Sequence, residues 1–243
     1  MKYSVNALHK SATVFLLRFF RVIANSKDMK YFSRDISLES AEAFKEEKDN
    51  CIRCPARGFP GKMNENIFYI FILRNPLDTL VSEYYSFGWM HAVKGTDEEQ
   101  KNLLKKREEI KRGTIDEYCI NSADILLKKI TPLLNMDIKK MGDDHMSLTY
   151  EDMMLNFDKW SNKIFNLFHV KRLERQEIFE KFKIEFENLN ELTPEEIFKG
   201  KKRHKRKATP GDYKEKLQAE TIVTLQEKFK EVLQLHNKIS FKK

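Results

Sequence analysis

Ile67-Phe68-Tyr69-Ile70-Phe71-Ile72-Leu73, followed at once by Arg74-Asn75-Pro76, decides the fold. An unbroken run of β-branched and aromatic residues cannot offer one face to water, so it forms a strand covered on both sides. That is the habit of an inner strand of a parallel sheet. The run is also the longest apolar stretch in the chain, and its seven residues fall far short of the roughly 20 that cross a bilayer. Pro76 is suited to the first turn of a helix, so a helix begins directly after the strand.

The alternation continues outward in both directions. Upstream, residues 3–9 read as a strand that runs into an amphipathic helix from Thr13 to Asn25. Met29–Ser33 reads as a second strand, Leu38–Lys48 as a helix with Ser37 as its N-cap, and Cys51–Cys54 as a brief strand. Downstream, the charged stretch Asp97–Arg112 predicts an exposed helix ended by Gly113, and Thr114 opens another with Tyr118, Ile125, Leu126 and Ile130. Met146–Tyr150 predicts a strand ending in a tyrosine, with a helix through Trp160, Ile164, Phe165 and Phe168 after it. Ile178–Phe186 mixes helical spacing with alternation. Ile222, Leu225, Phe229, Val232 and Leu233 share one face of a last helix. Strands alternating with helices predict an α/β fold: a central, mostly parallel sheet flanked by helices, in a single domain over residues 1–243. Right-handed crossovers bring the loops after each strand to one sheet edge, where ligands bind.

Composition narrows the function classes. Of 243 residues, 41% are hydrophobic and 34% charged, with only 8 Gly and 6 Pro, so no low-complexity arm fits. Three cysteines argue against a disulfide framework. The opening Met1–Leu8 reads as a strand rather than a secretory leader, and the expectation is a cytoplasmic protein without a membrane span. The net charge is +8, but Lys199–Lys207 alone carries seven cations, leaving the rest at +1. A near-neutral body with one intensely basic segment calls for a phosphate-bearing ligand or another polyanion.

Four segments carry the chemistry. His9-Lys10-Ser11-Ala12-Thr13-Val14-Phe15 joins a strand to a helix, where backbone N–H groups and a helix start can hold an anion; an ordinary helix start looks much the same. It lacks the Gly-rich spacing of nucleotide hydrolases. Arg74 ends the buried strand, and Ser82 lies two helical turns on; together they suit a second phosphate. The third segment is Leu148-Thr149-Tyr150-Glu151-Asp152. The fourth is Arg206-Lys207-Ala208-Thr209-Pro210-Gly211-Asp212-Tyr213, which closes the basic run. Cys51 and Cys54 form no zinc site, since no second ligand pair follows.

In this order the four resemble the sulfotransferases that use 3′-phosphoadenosine 5′-phosphosulfate (PAPS). The first is similar to that family's P-K-S-G-T-T-W. The stretch Arg74–Tyr84 follows its R-N-P-x-D-x-x-x-S-x-Y almost letter for letter. Tyr150-Glu151-Asp152-Met153 resembles Y-E-D-L, and the last segment resembles R-K-G-x-x-G-D-W. The resemblance spans residues 9–213 and implies a P-loop-like sulfotransferase fold. It implies that Lys10, Ser11 and Thr13 grip the 5′-phosphosulfate, with Ala12 and Val14 in the same turn. Arg74 and Ser82, joined by Arg206, Lys207 and Ala208, would bind the 3′-phosphate, and Phe15 and Tyr150 the adenine. The expected partner is a small-molecule acceptor and not a nucleic acid, and no metal is required, since a sulfuryl group carries less charge than a phosphoryl group.

The departures matter. Ala12 and Ala208 stand where the family has glycines, so the backbone there either avoids positive φ or accepts strain. The family's T-H-L-P histidine, a catalytic base in many members, has no counterpart in Cys54–Pro60. Asp35, 25 residues after Lys10, is the first candidate for the base, His9 the second, and His91 and Glu39 follow. Two other classes remain open from the sequence: a nucleotide or small-molecule kinase, which wants the missing Gly-rich loop, and a nucleic-acid-binding module built on Lys199–Lys207.

Overall fold

A computed structural model describes residues 1–33, 38–90, 93, 95–136, 144–187 and 209–241. Five strands, β1 (Lys2–Ala7), β2 (Lys30–Ser33), β3 (Cys51–Arg57), β4 (Ile67–Leu73) and β5 (His145–Thr149), form one sheet in the order β2-β3-β1-β4-β5. Every neighbouring pair is parallel. The expected inner strand is β4, with Val5 opposite Ile70 and Ala7 opposite Ile72 on one side and Leu148 opposite Ile72 on the other.

The β3 strand outruns the short stretch expected of it. Its register against β1 slips between Ser4 and Asn6, opposite Cys54 and Pro55. Pro55 has no N–H for the ladder, and a bulge lets the strand absorb it and continue.

Contacts gather the chain into two compact units. The first comprises Met1–Asn75, Lys128–Glu187 and Glu231–Lys243 and contains the whole sheet. One sheet face is covered by α1 (Thr13–Ser26), α6 (Tyr150–Leu155), α7 (Phe157–Leu167) and α8 (Arg172–Glu187). Apolar residues at helical spacing make this core: Phe15, Phe19, Phe20 and Ile23 of α1 meet Trp160, Ile164 and Phe165 of α7 and Phe182 of α8. The rings pack edge-on or offset, with Phe19 5.3 Å from Phe182 and 5.5 Å from Trp160. On the opposite face, Phe44 of α2 (Leu38–Glu46) packs on Phe32 and Cys51. Ile178–Phe186 resolves as helix, because Ile178 and Phe182 lie one turn apart and both bury into the core.

The second unit comprises Pro76–Leu127 and Asn188–Lys230. It holds α3 (Pro76–Tyr85), a five-residue π-turn (Ser86–Met90), α4 (Asp97–Arg112), the start of α5 (Ile115–Asn135), α9 (Tyr213–Lys216) and α10 (Ala219–Lys228). Thr96 caps α4 in a full capping box with Glu99, and Gly113 ends it as expected. The last expected helix is two: α10 stops at Phe229, whose backbone (φ −99°, ψ 17°) leaves the helical region, and α11 (Lys230–Ile239) follows. No helix among the described residues is long and apolar enough to cross a membrane.

Candidate active site

The first unit builds its site at the carboxyl ends of β1 and β4. The turn from β1 into α1 has two left-handed residues, Lys10 (φ 71°) and Ala12 (φ 57°), on either side of Ser11. Of the two outcomes open to Ala12, the backbone accepts the strain. A left-handed alanine costs about 1–2 kcal/mol, and the reversal it makes is the one that lets successive N–H groups converge on an anion. Ser11 N–H donates to Leu8 O (3.2 Å), and Leu16 N–H donates to Ala12 O (3.0 Å) as the first helical bond. No side chain caps the start of α1, and its first turn carries no acid. Ser11 and Thr13 are buried at this start, while Val14 is half exposed.

Arg74 closes the turn from below. Although it lies just past the end of β4, it is buried, and its Nη1 donates to Lys10 O at 2.5 Å. Its guanidinium carbon lies 4.3 Å from the centre of the Tyr150 ring, a desolvated cation–π contact worth about 2 kcal/mol. Its Nε is buried and has no partner. A cation held against the anion-seeking turn, with one donor unsatisfied, fits an acceptor-rich group such as a phosphate.

Each residue of Tyr150-Glu151-Asp152 has a separate task. Tyr150 is the first residue of α6 rather than the last of β5, because Thr149 ends the strand and caps the helix through Asp152 N–H. Glu151 Oε1 accepts from Asn75 N–H (3.0 Å), fixing the chain just after Arg74, while Oε2 lies 2.6 Å from Nε2 of His236 on α11. Burial pushes the His236 pKa down, but the hydrogen bond and charge of Glu151, with help from Asn237 and Asp152, carry it above the usual histidine value. Asp152 Oδ2 accepts from Thr149 Oγ1 (2.7 Å) and from Phe241 N–H (3.0 Å).

Phe15 is the residue expected at an adenine. It is 3% exposed and packs among Phe19, Phe157, Trp160 and Phe182. Apolar neighbours on α7 and α8 draw the ring into the core. Tyr150 is nearly as buried, with Arg74 over one face. The first unit thus brings together Lys10, Ser11, Ala12, Thr13, Arg74 and Tyr150, with His9 in the same turn.

Ser82 belongs to the second unit, partly buried on α3. One turn before it, the buried Asp78 accepts from Gly211 N–H and Tyr213 N–H. Tyr84, Tyr85, Trp89 and Tyr118 form an aromatic cluster beside it, with centroids 5.0–5.9 Å apart. Asp35, Ser37, His91, Arg206, Lys207 and Ala208 lie outside the described residues. The three cysteines are buried and unpaired, and burial, with the charges of Asp116 and Glu83, pushes Cys119 up to about 12. Such a thiol is no nucleophile at neutral pH.

Glu151, His236 and Asp78 escaped the sequence reading as functional residues. Glu151 and Asp78 stood inside quoted motifs with no partner in view. His236 is a lone histidine on a charged helix, and nothing near it in sequence signals its acid.

Comparison with known proteins adds an independent line. The sulfotransferase domain profile matches residues 5–237. No curated protein matches. Among solved structures, mouse sulfotransferase SULT7A1 complexed with PAP aligns with a TM-score of 0.63 at 16% identity, covering 94% of this chain and 82% of that one. Retinol dehydratase in complex with androsterone and inactive cofactor PAP aligns at 0.56 and 12% identity, covering 94% and 79%. A second retinol dehydratase structure, with retinol and PAP, aligns at 0.56 and 13%, covering 94% and 80%. At these identities the structures share the fold.

Proposed function

From the premise that this chain belongs to the sulfotransferase domain family, we propose that it transfers a sulfuryl group from PAPS to a hydroxyl or amine of a small-molecule acceptor. The observation that carries the donor is the buried Arg74, braced on Lys10 O and Tyr150 with its Nε unsatisfied. Structures of the same fold with adenosine 3′,5′-bisphosphate (PAP), and with androsterone or retinol, support the nucleotide and a small acceptor.

Lys10, Ser11 and Thr13 hold the 5′-phosphate that carries the sulfuryl group. Arg74 and Ser82, with Arg206, Lys207 and Ala208, hold the 3′-phosphate, and Tyr150 borders the adenine. A base takes the acceptor proton as the acceptor oxygen or nitrogen bonds to sulfur. The bond from sulfur to the bridging oxygen breaks, and the electron pair stays on the departing 5′-phosphate. Lys10 neutralises that charge as it develops. Asp35 is the first candidate for the base and His9 the second.

The deciding experiment is thermal. PAP at 100 times its Kd should stabilise the protein by about 2.7 kcal/mol, and adenosine 5′-phosphate at the same concentration by far less. Equal shifts sink the assignment of Arg74 and Ser82. For the chemistry, Asp35→Asn should lower kcat by about 10²–10⁴-fold with PAP affinity intact, whereas Lys10→Ala should damage both. Normal turnover in Asp35→Asn moves the search to His9→Gln.

A further inference from the structure

Arg74 is held at three points, and two of them come from neighbours in sequence. The Tyr150 ring lies 4.3 Å from its guanidinium carbon, and Glu151 Oε1 accepts from Asn75 N–H at 3.0 Å, which pins the peptide joining Arg74 to Asn75. The third point is Lys10 O, which accepts from Nη1. A long side chain with many rotamers aims at one place only when the groups that brace it are themselves fixed. Glu151 therefore needs an anchor of its own.

That anchor comes from the far end of the chain. His236 on α11 lies 85 residues after Glu151, and its Nε2 stands 2.6 Å from Glu151 Oε2, with the two side chains 8% and 13% exposed. A carboxylate only accepts, so Nε2 is the donor. Phe241 N–H, just past the end of α11, donates to Asp152 Oδ2 at 3.0 Å, so the C-terminal segment holds both acids in the first turn of α6. The chain of hydrogen bonds from His236 through Glu151 to Asn75 ends at the backbone of Arg74, and all four residues belong to the first unit. We infer that His236 is a positioning residue that, acting through Glu151, fixes Arg74 for the phosphate it meets. The inference rests on the sulfuryl-transfer reading above, in which Arg74 takes the 3′-phosphate, and it adds a role for a histidine that acts at one remove from the ligand.

His236→Ala removes the donor, whereas His236→Gln keeps an N–H₂ at the ε position. Calorimetric titration of wild type and both variants with PAP and with adenosine 5′-phosphate tests the inference. In His236→Ala, affinity for PAP should fall about 10-fold, while affinity for the monophosphate, which has no 3′-phosphate to lose, stays within about threefold. His236→Gln should recover most of the loss. Equal losses for both nucleotides in His236→Ala mean a merely structural histidine and overturn the inference. Undiminished PAP affinity in that variant overturns it too, as does a glutamine variant as weak as the alanine one. A wild type with no preference for PAP overturns the donor reading itself, and this inference with it. Should His236→Ala not fold, amide exchange of the wild type decides. Coupling is reciprocal, so Asn75 N–H should gain protection with PAP and not with the monophosphate; protection that is unchanged, or raised equally by both, overturns the inference.

Discussion

Ala12 holds a left-handed backbone that a glycine would hold without strain. Ala12→Gly removes about 1–2 kcal/mol of strain and adds about 0.4–1 kcal/mol of unfolded-state entropy. The expected net is a stabilisation of about 0.5–1 kcal/mol, read as a rise in urea midpoint with unchanged slope. An unchanged or lower midpoint would show that the alanine methyl contributes more to packing than its backbone costs. Arg74 poses the opposite case, because the same side chain supports the fold and faces the ligand. Arg74→Ala deletes a hydrogen bond to Lys10 O and the contact with Tyr150. Stability should fall by about 1–3 kcal/mol, and PAP affinity by about 1.5–3 kcal/mol more than that of the monophosphate. Arg74→Lys should restore part of the stability and little of the affinity, since an ammonium cannot reproduce the planar fork.

At the scale of elements, α11 is joined to the strand end through Glu151, which links His236 to Asn75 N–H. The folded pKa of His236 lies above its unfolded value, which is about 6.5. The pair's contribution is therefore complete below that pH and disappears as pH rises through the folded pKa. The stability gap between wild type and His236→Gln should be widest near pH 5.5 and shrink towards pH 9; a gap that widens with pH contradicts the pairing. Contacts of this kind mark the limit of what the sequence discloses. The Ile67–Leu73 strand, the Pro76 start and the Asp97–Arg112 helix ended by Gly113 follow from local chemistry, and each was legible. Glu151 and His236 stand 85 residues apart, and Asp78 and Gly211 stand 133 apart, so their pairing exists only once the sheet and helices have been assembled. The aromatic neighbours of Phe15 are hidden from the sequence for a related reason, since they come from α7 and α8.

At the scale of the whole molecule, the net charge of +8 is concentrated in Lys199–Lys207, which should draw a polyanionic nucleotide from a distance. Replacing Lys199, Lys201, Lys202 and Arg203 by Gln, with Arg206 and Lys207 kept, should slow PAP association and flatten its salt dependence while leaving dissociation nearly unchanged. Stopped-flow measurement across ionic strength separates the two rates, and a faster dissociation would make those four residues direct contacts. The strand order β2-β3-β1-β4-β5 bears on how the molecule is made. Its central strand comes first in the chain and finds its two neighbours only at residues 51–57 and 67–73, and the sheet closes at residues 145–149. At 5–20 residues per second a ribosome needs on the order of ten seconds to bridge that interval. Through that time the nascent chain carries Val5, joined midway by Ile70 and Ile72, with their sheet unfinished, so birth is when this protein has most need of a chaperone.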